Sequence, residues 1–105
     1  MKVEFSRTGG VAGMRLTATL DTEVLSPEEA DRLSRLIAAA AFFDQPDRLK
    51  SATPGSDRFQ YRVTVEEGDH KKQVEMDESS VPKTFRPLLD YLLDSARARP
   101  RVKRS

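Results

Sequence analysis

The chain has 105 residues, of which 37% are hydrophobic and 33% charged, enough for one domain with a thin core. It contains no cysteine, which excludes disulfides and thiolate metal sites and favours a reducing compartment. Charged and apolar side chains alternate from Met1 to Phe5, unlike a signal peptide, and no apolar run approaches the ~20 residues of a membrane span. We therefore expect a soluble, cytoplasmic protein.

The formal net charge of +1 conceals an uneven distribution. Residues 97–105 contain no acidic residue and five basic ones: Arg97, Arg99, Arg101, Lys103 and Arg104. Residues 1–96 keep 13 of the 18 basic residues and all 17 acidic ones, a formal net charge of −4. We predict a single acidic domain over residues 1–96 and a flexible basic tail over residues 97–105.

Two runs near the start, residues 2–8 and 14–21, alternate apolar and polar residues, which is typical of half-buried antiparallel strands. Their apolar positions are Val3 and Phe5, then Met14, Leu16, Ala18 and Leu20. The segment between them contains Gly9, Gly10 and Gly13, more glycine than a two-residue turn needs. It predicts either an exposed contact loop or simply a wide hairpin with a bulge.

A helix is predicted to start after Ser26, which caps it, with Pro27 at its first position and Glu29 completing a capping box. Apolar residues then recur at helical spacing as far as about Ala41. We expect Phe42 and Phe43 to tuck under this helix. Residues 44–57 contain two prolines and a glycine, and predict an ordered but irregular connection.

A second pair of alternating runs follows, turning at Gly68. The first has Phe59, Tyr61, Val63 and Val65 on one face, and the second has His70, Lys72, Val74 and Met76. The last helix has an apolar stripe at Phe85, Leu88, Leu89, Leu92 and Ala96. Its Pro87 belongs in the first turn, with Thr84 as the cap, because proline deep in a helix is costly.

The element order is therefore β-β-α-β-β-α, and every element has one apolar face. We predict an α+β fold in which two helices pack on one face of a four-stranded antiparallel sheet. The pattern leaves the order of the strands open.

An enzyme is disfavoured because the chain offers few groups for chemistry. The single histidine, His70, lies beside two lysines at a hairpin tip, and we interpret it as an exposed turn residue. No phosphate-binding glycine loop or nucleophile elbow occurs, so we expect no catalytic residue, no metal and no cofactor. The basic tail allows nonspecific phosphate contacts, but the acidic domain argues against specific nucleic-acid binding.

Six stretches of the chain are distinctive: residues 6–14 (SRTGGVAGM), 25–30 (LSPEEA), 42–44 (FFD), 54–61 (PGSDRFQY), 81–82 (VP) and 86–92 (RPLLDYL). In this order they resemble sequences of the emfourin family of M4 metallopeptidase inhibitors. The resemblance spans residues 1 to about 96, and the Ser-x-x-Gly-Gly and Asp-Arg-Phe-Gln-Tyr stretches are its most specific parts.

The resemblance implies an inhibitor that blocks the cleft of an M4 zinc metallopeptidase of the protealysin type, with the zinc belonging to the enzyme. We expect the protein to be a monomer. The implied contact residues are Arg7, Gly9, Gly10, Val11, Ala12, Gly13, Asp57 and Arg58. The alternative is a non-enzymatic protein-interaction module with a basic tail. No membrane partner is expected.

Overall fold

The alternating runs form strands in the computed structural model, which describes residues 1–9, 15–49 and 59–98. The strands are β1 (Lys2–Gly9), β2 (Leu16–Asp21), β3 (Arg48–Leu49), β4 (Phe59–Glu67) and β5 (His70–Asp77). They form one sheet in the order β2-β1-β4-β5-β3, antiparallel except that β3 runs parallel to β5. The mixed α+β class and the two helices agree with the prediction.

The predicted strand count was wrong, because β3 lies within the connection that we predicted to be irregular. The Glu75 amide donates a hydrogen bond to the Asp47 carbonyl at 2.9 Å, and the Arg48 guanidinium lies 2.9 Å from the Glu75 carboxylate. Leu49 packs against the core. A strand of two residues is too short to show alternation, so the sequence pattern could not reveal it.

Both helices, α1 (Pro27–Ala39) and α2 (Arg86–Ala98), contribute to one core on one face of the sheet. Leu33 and Ile37 of α1 are buried there, as are the predicted apolar positions of α2. Phe42 is also buried and stacks on Phe85 with ring centroids 5.8 Å apart. Phe43 was predicted to be buried as well, but it is 38% exposed because the chain turns it away from the core.

The start of α1 lies where it was predicted, and the other helix ends differ in detail from the prediction. The Ser26 hydroxyl accepts a hydrogen bond from the Glu29 amide at 3.2 Å, which confirms the predicted cap. Among the described residues the Glu29 carboxylate accepts from the Tyr91 hydroxyl at 3.1 Å, and not from the Ser26 amide as the predicted capping box requires. The helix ends at Ala39, slightly before the predicted end, and Ala41 has a left-handed backbone with φ of 50°. Pro87 lies in the first turn of α2, but Thr84 lies in a 3-10 turn, Lys83–Phe85, and does not cap it.

The second helix continues to Ala98, past the predicted end at Ala96, and residues 99–105 of the predicted tail lie outside the described residues. Among the residues that the structure describes, no helix has the length and apolar character that crossing a bilayer requires.

Candidate functional site

The bases of the two predicted contact loops meet at one end of the sheet. Gly9, the last residue of β1, is paired with Phe59, the first residue of β4. Segments 10–14 and 50–58 therefore depart from neighbouring points on adjacent strands. The predicted contact residues within these segments lie outside the described residues: Gly10, Val11, Ala12, Gly13, Asp57 and Arg58.

Gly9 has a backbone φ of 96°, a conformation that residues with a Cβ rarely adopt. The chain thus leaves the regular strand at a position where glycine is required. This observation explains the first glycine of the segment by local geometry, independently of any partner.

Arg7 makes a cation–π contact with Phe59 at the same end of the sheet. Its guanidinium carbon lies 4.1 Å from the centre of the Phe59 ring, on the helix-facing side of the sheet. A cation–π contact of this kind is worth about 0.5–1 kcal/mol at a partly exposed position. The contact links β1, which precedes the glycine segment, to β4, which follows residues 50–58. The role of Arg7 and Gly9 as contact residues stays a prediction.

A polar network that the sequence did not indicate continues from this point into α2. The buried Tyr61 hydroxyl donates a short hydrogen bond to the Glu78 carboxylate. Arg86 donates to the other oxygen of Glu78 at 3.3 Å and lies 3.6 Å from Asp90 one turn later. No motif joins residues this far apart in sequence, so only the fold could reveal the network.

Burial raises the pKa of Tyr61 to about 12, and the hydrogen bond to Glu78 and the negative charge of that carboxylate act in the same direction. The nearby Arg86 and Arg7 oppose this shift only in part. The hydroxyl therefore stays protonated and keeps its hydrogen bond under ordinary conditions.

The raised pKa gives an expected pH dependence. Because the folded pKa, about 12, exceeds the ordinary value of 10.0, the stability from the neutral phenol is complete below pH 10. It should be lost as the pH rises through 12. Tyr61→Phe should flatten this alkaline loss, measured as the free energy of unfolding from pH 8 to 12. An equal alkaline loss in both proteins would contradict the assignment.

The polar face of the sheet carries a shallow cleft of about 240 Å³ near the same end. Its lining is mostly polar and includes Arg15, Gln60 and the ion pair of Arg62 with Glu75, at 2.9 Å. Small-molecule pockets are usually larger and more apolar. The arrangement is better suited to contact with a protein than to holding a small ligand.

The described residues show no group of acidic, histidine or cysteine side chains that could hold a metal ion. His70 is exposed at the opposite end of the sheet, as predicted, with its ring edge-on to Phe43 at a centroid distance of 6.1 Å. The His70 ring therefore packs against an aromatic side chain at this end of the sheet.

The loops and their bases fall within a match to a known family. The emfourin family model matches residues 5–93, from β1 into the last turns of α2. The chain belongs to the emfourin family. Among solved structures, it is 22% identical to emfourin (M4in) from Serratia proteamaculans, an M4 family peptidase inhibitor. That match covers 88% of this chain and 85% of the Serratia emfourin chain, with a TM-score of 0.45. None of the curated proteins matches the chain.

Proposed function

We propose that this emfourin-family chain is a non-enzymatic inhibitor of an M4 zinc metallopeptidase of the protealysin type. The observation that carries the proposal is the family match over residues 5–93, since the family's M4in is an M4 peptidase inhibitor. The catalytic zinc belongs to the peptidase, and the inhibitor supplies no metal and no cofactor.

In the proposed mechanism, residues 9–13 enter the active-site cleft of the peptidase. Glycines at positions 9, 10 and 13 let the backbone approach the cleft closely, and such clefts bind extended backbone by hydrogen bonds. Val11 offers an apolar side chain to the hydrophobic primed-side pocket, and Ala12 is small enough to follow it. We assign no inhibitor group to the zinc.

The geometry of the loop bases supports this mechanism. Gly9 is held in the β1–β4 ladder opposite Phe59, and Arg7 stacks on that ring. A loop whose base is already ordered loses less conformational entropy on binding. Because segment 50–58 departs beside Gly9, Asp57 and Arg58 are the proposed flanking contacts on the peptidase.

The proposal is tested by titrating a protealysin-type peptidase with the protein and following hydrolysis of a peptide substrate. We expect inhibition that is complete near one equivalent at micromolar concentration. A variant lacking residues 99–105 should inhibit equally, because the deletion leaves α2 through Ala98 intact.

Two results separate the proposal from a tail-driven interaction module. Absence of inhibition at micromolar concentration would overturn the inhibitor function. Binding that disappears with residues 99–105 and weakens steeply with added salt would instead indicate electrostatic attraction through the tail.

A further inference from the structure

The outer edge of β2 has an unusual sequence for the edge of a sheet. From Leu16 to Leu20 it contains no charged residue and no proline, in a chain that is 33% charged. Within the described residues β2 pairs only with β1. Natural proteins usually protect an edge strand with charges, prolines or bulges, because its free backbone groups attract another strand. An edge left this regular is suited to strand pairing.

The register shows which backbone groups of β2 face outward. The Thr22 amide donates to the Met1 carbonyl at 2.9 Å, so residues 1 and 22 form a hydrogen-bonded pair that continues the β1–β2 register. Hydrogen-bonded and non-hydrogen-bonded pairs alternate in an antiparallel ladder. Leu16, Ala18 and Leu20 therefore bond to β1, and the backbone groups of Thr17 and Thr19 point to the open edge.

The β4–β5 hairpin gives the same assignment independently. Its turn places Glu67 opposite His70, and the closing pair of a two-residue hairpin is hydrogen-bonded. Odd residues of β4 therefore bond to β5, and its even residues bond to β1. Through the β1–β4 and β1–β2 registers, the even residues of β1 bond to β4 and its odd residues bond to β2. Phe5 therefore bonds to Ala18, which again leaves Thr17 and Thr19 facing outward.

The strand is complementary to itself. Residues 15–21 read Arg-Leu-Thr-Ala-Thr-Leu-Asp, which is symmetric about Ala18 apart from opposite charges at its two ends. Antiparallel pairing about Ala18 sets Thr17 opposite the Thr19 of the second copy and Arg15 opposite its Asp21. Cross-strand threonine pairs and opposite charges both stabilise sheets. Within the described residues Arg15 has no ion-pair partner, and Asp21 accepts only the Glu23 amide at 2.9 Å with its carboxylate.

We propose that two copies of this chain associate through β2 as a symmetric dimer with one continuous sheet. The partner is a second copy because every position of the strand matches its symmetry mate in hydrogen bonding, size and charge. The proposed dimer differs from the monomer that we expected from the sequence, and it is independent of the proposed inhibitor function. An interface made of one short strand from each copy buries little surface, so a dissociation constant of about 10–100 µM is expected.

Sedimentation velocity from ~5 to ~500 µM protein, at low salt, tests the proposal. Arg15→Asp and Asp21→Arg each place like charges opposite one another, and each should raise the dissociation constant at least about tenfold. An equimolar mixture of the two variants restores both opposite-charge pairs and should form a heterodimer. Lys83→Asp makes the same charge change as Arg15→Asp at an exposed turn before α2, and should leave dimerisation unchanged.

A further variant keeps Asp21 and the hydrogen bond that its carboxylate accepts from the Glu23 amide. Thr19→Pro removes an outward amide without removing a bond to β1, since proline is tolerated where the strand N–H faces solvent. It should abolish dimerisation, with the fold checked by circular dichroism. In the unaltered protein, hydrogen exchange of the Thr17 and Thr19 amides should slow as concentration rises, while that of Ala18 stays constant.

Three results would overturn the proposal. They are a monomer at every concentration, equal effects of Arg15→Asp and Lys83→Asp, and Thr17 and Thr19 amides whose exchange does not depend on concentration. The peptidase titration is unaffected by any of them, so failure of the dimer and failure of the inhibitor function are separate outcomes.

Discussion

Replacing Gly10 by tryptophan is expected to weaken inhibition of an M4 peptidase about 100-fold, which is about 3 kcal/mol of binding free energy. A bulky side chain at this position would hold the backbone away from the cleft and would disfavour the conformations open to glycine. The inhibition constant is the quantity to measure. The melting temperature should be nearly unchanged, because the β1–β4 pairing of the described residues ends at Gly9 and the substitution removes none of its contacts.

Gly68→Asn is the matched control for this substitution. Gly68 turns the chain at the opposite end of the sheet with φ of 60°, and a Cβ placed there meets no atom within 4 Å. Asparagine tolerates that conformation better than most residues. The control should inhibit like the unaltered protein. Equal inhibition by Gly10→Trp would remove the glycine segment from the mechanism.

Phe85→Ala is expected to destabilise the domain by about 3–5 kcal/mol, the usual cost of removing a buried aromatic ring. Phe85 is fully buried where α2 begins, and its ring stacks on Phe42 at 24° between ring planes. A domain of this size has a total stability of about 5–10 kcal/mol, so a large share would be lost. Urea unfolding followed by circular dichroism measures the change.

Phe43→Ala serves as the control for the aromatic core. Phe43 is 38% exposed and its ring meets Phe42 edge to face at 5.7 Å. Its removal should cost about 1 kcal/mol or less. If both substitutions destabilised the protein equally, the contrast between a buried Phe42–Phe85 stack and an outward Phe43 would be wrong.

Much of the fold follows from local patterns in the sequence. The alternation of apolar and polar residues predicted the four long strands. The residues Ser26, Pro27 and Glu29 predicted the first residue of α1 correctly. These features are local, since they depend on side chains one turn or one strand position apart. The orientation of Phe43 and the pairing of Arg48 with Glu75 depend on tertiary contacts, which no local pattern encodes.

In the candidate site, too, some features were indicated by the sequence and others depend on tertiary contacts. The contact roles of Arg7 and Gly9 stay predictions, and the β1–β4 register places these residues opposite Tyr61 and Phe59, beside the end of segment 50–58. Phe59 was predicted only as an inward-facing residue, and its stacking under Arg7 is a consequence of that register. The contact from Tyr61 to Glu78 joins β4 to the 3-10 turn after β5, and it depends on how that turn places the Glu78 carboxylate, which no local pattern indicates.

If residues 9–13 occupy the active-site cleft of an M4 peptidase, as we propose, the protein must compete with any small molecule that fills that cleft. Binding of the protein to the peptidase is measured by calorimetry, first alone and then with the peptidase saturated by a small peptide-like active-site inhibitor. The proposed mechanism predicts that saturation abolishes binding. Undiminished affinity for the saturated peptidase would contradict it.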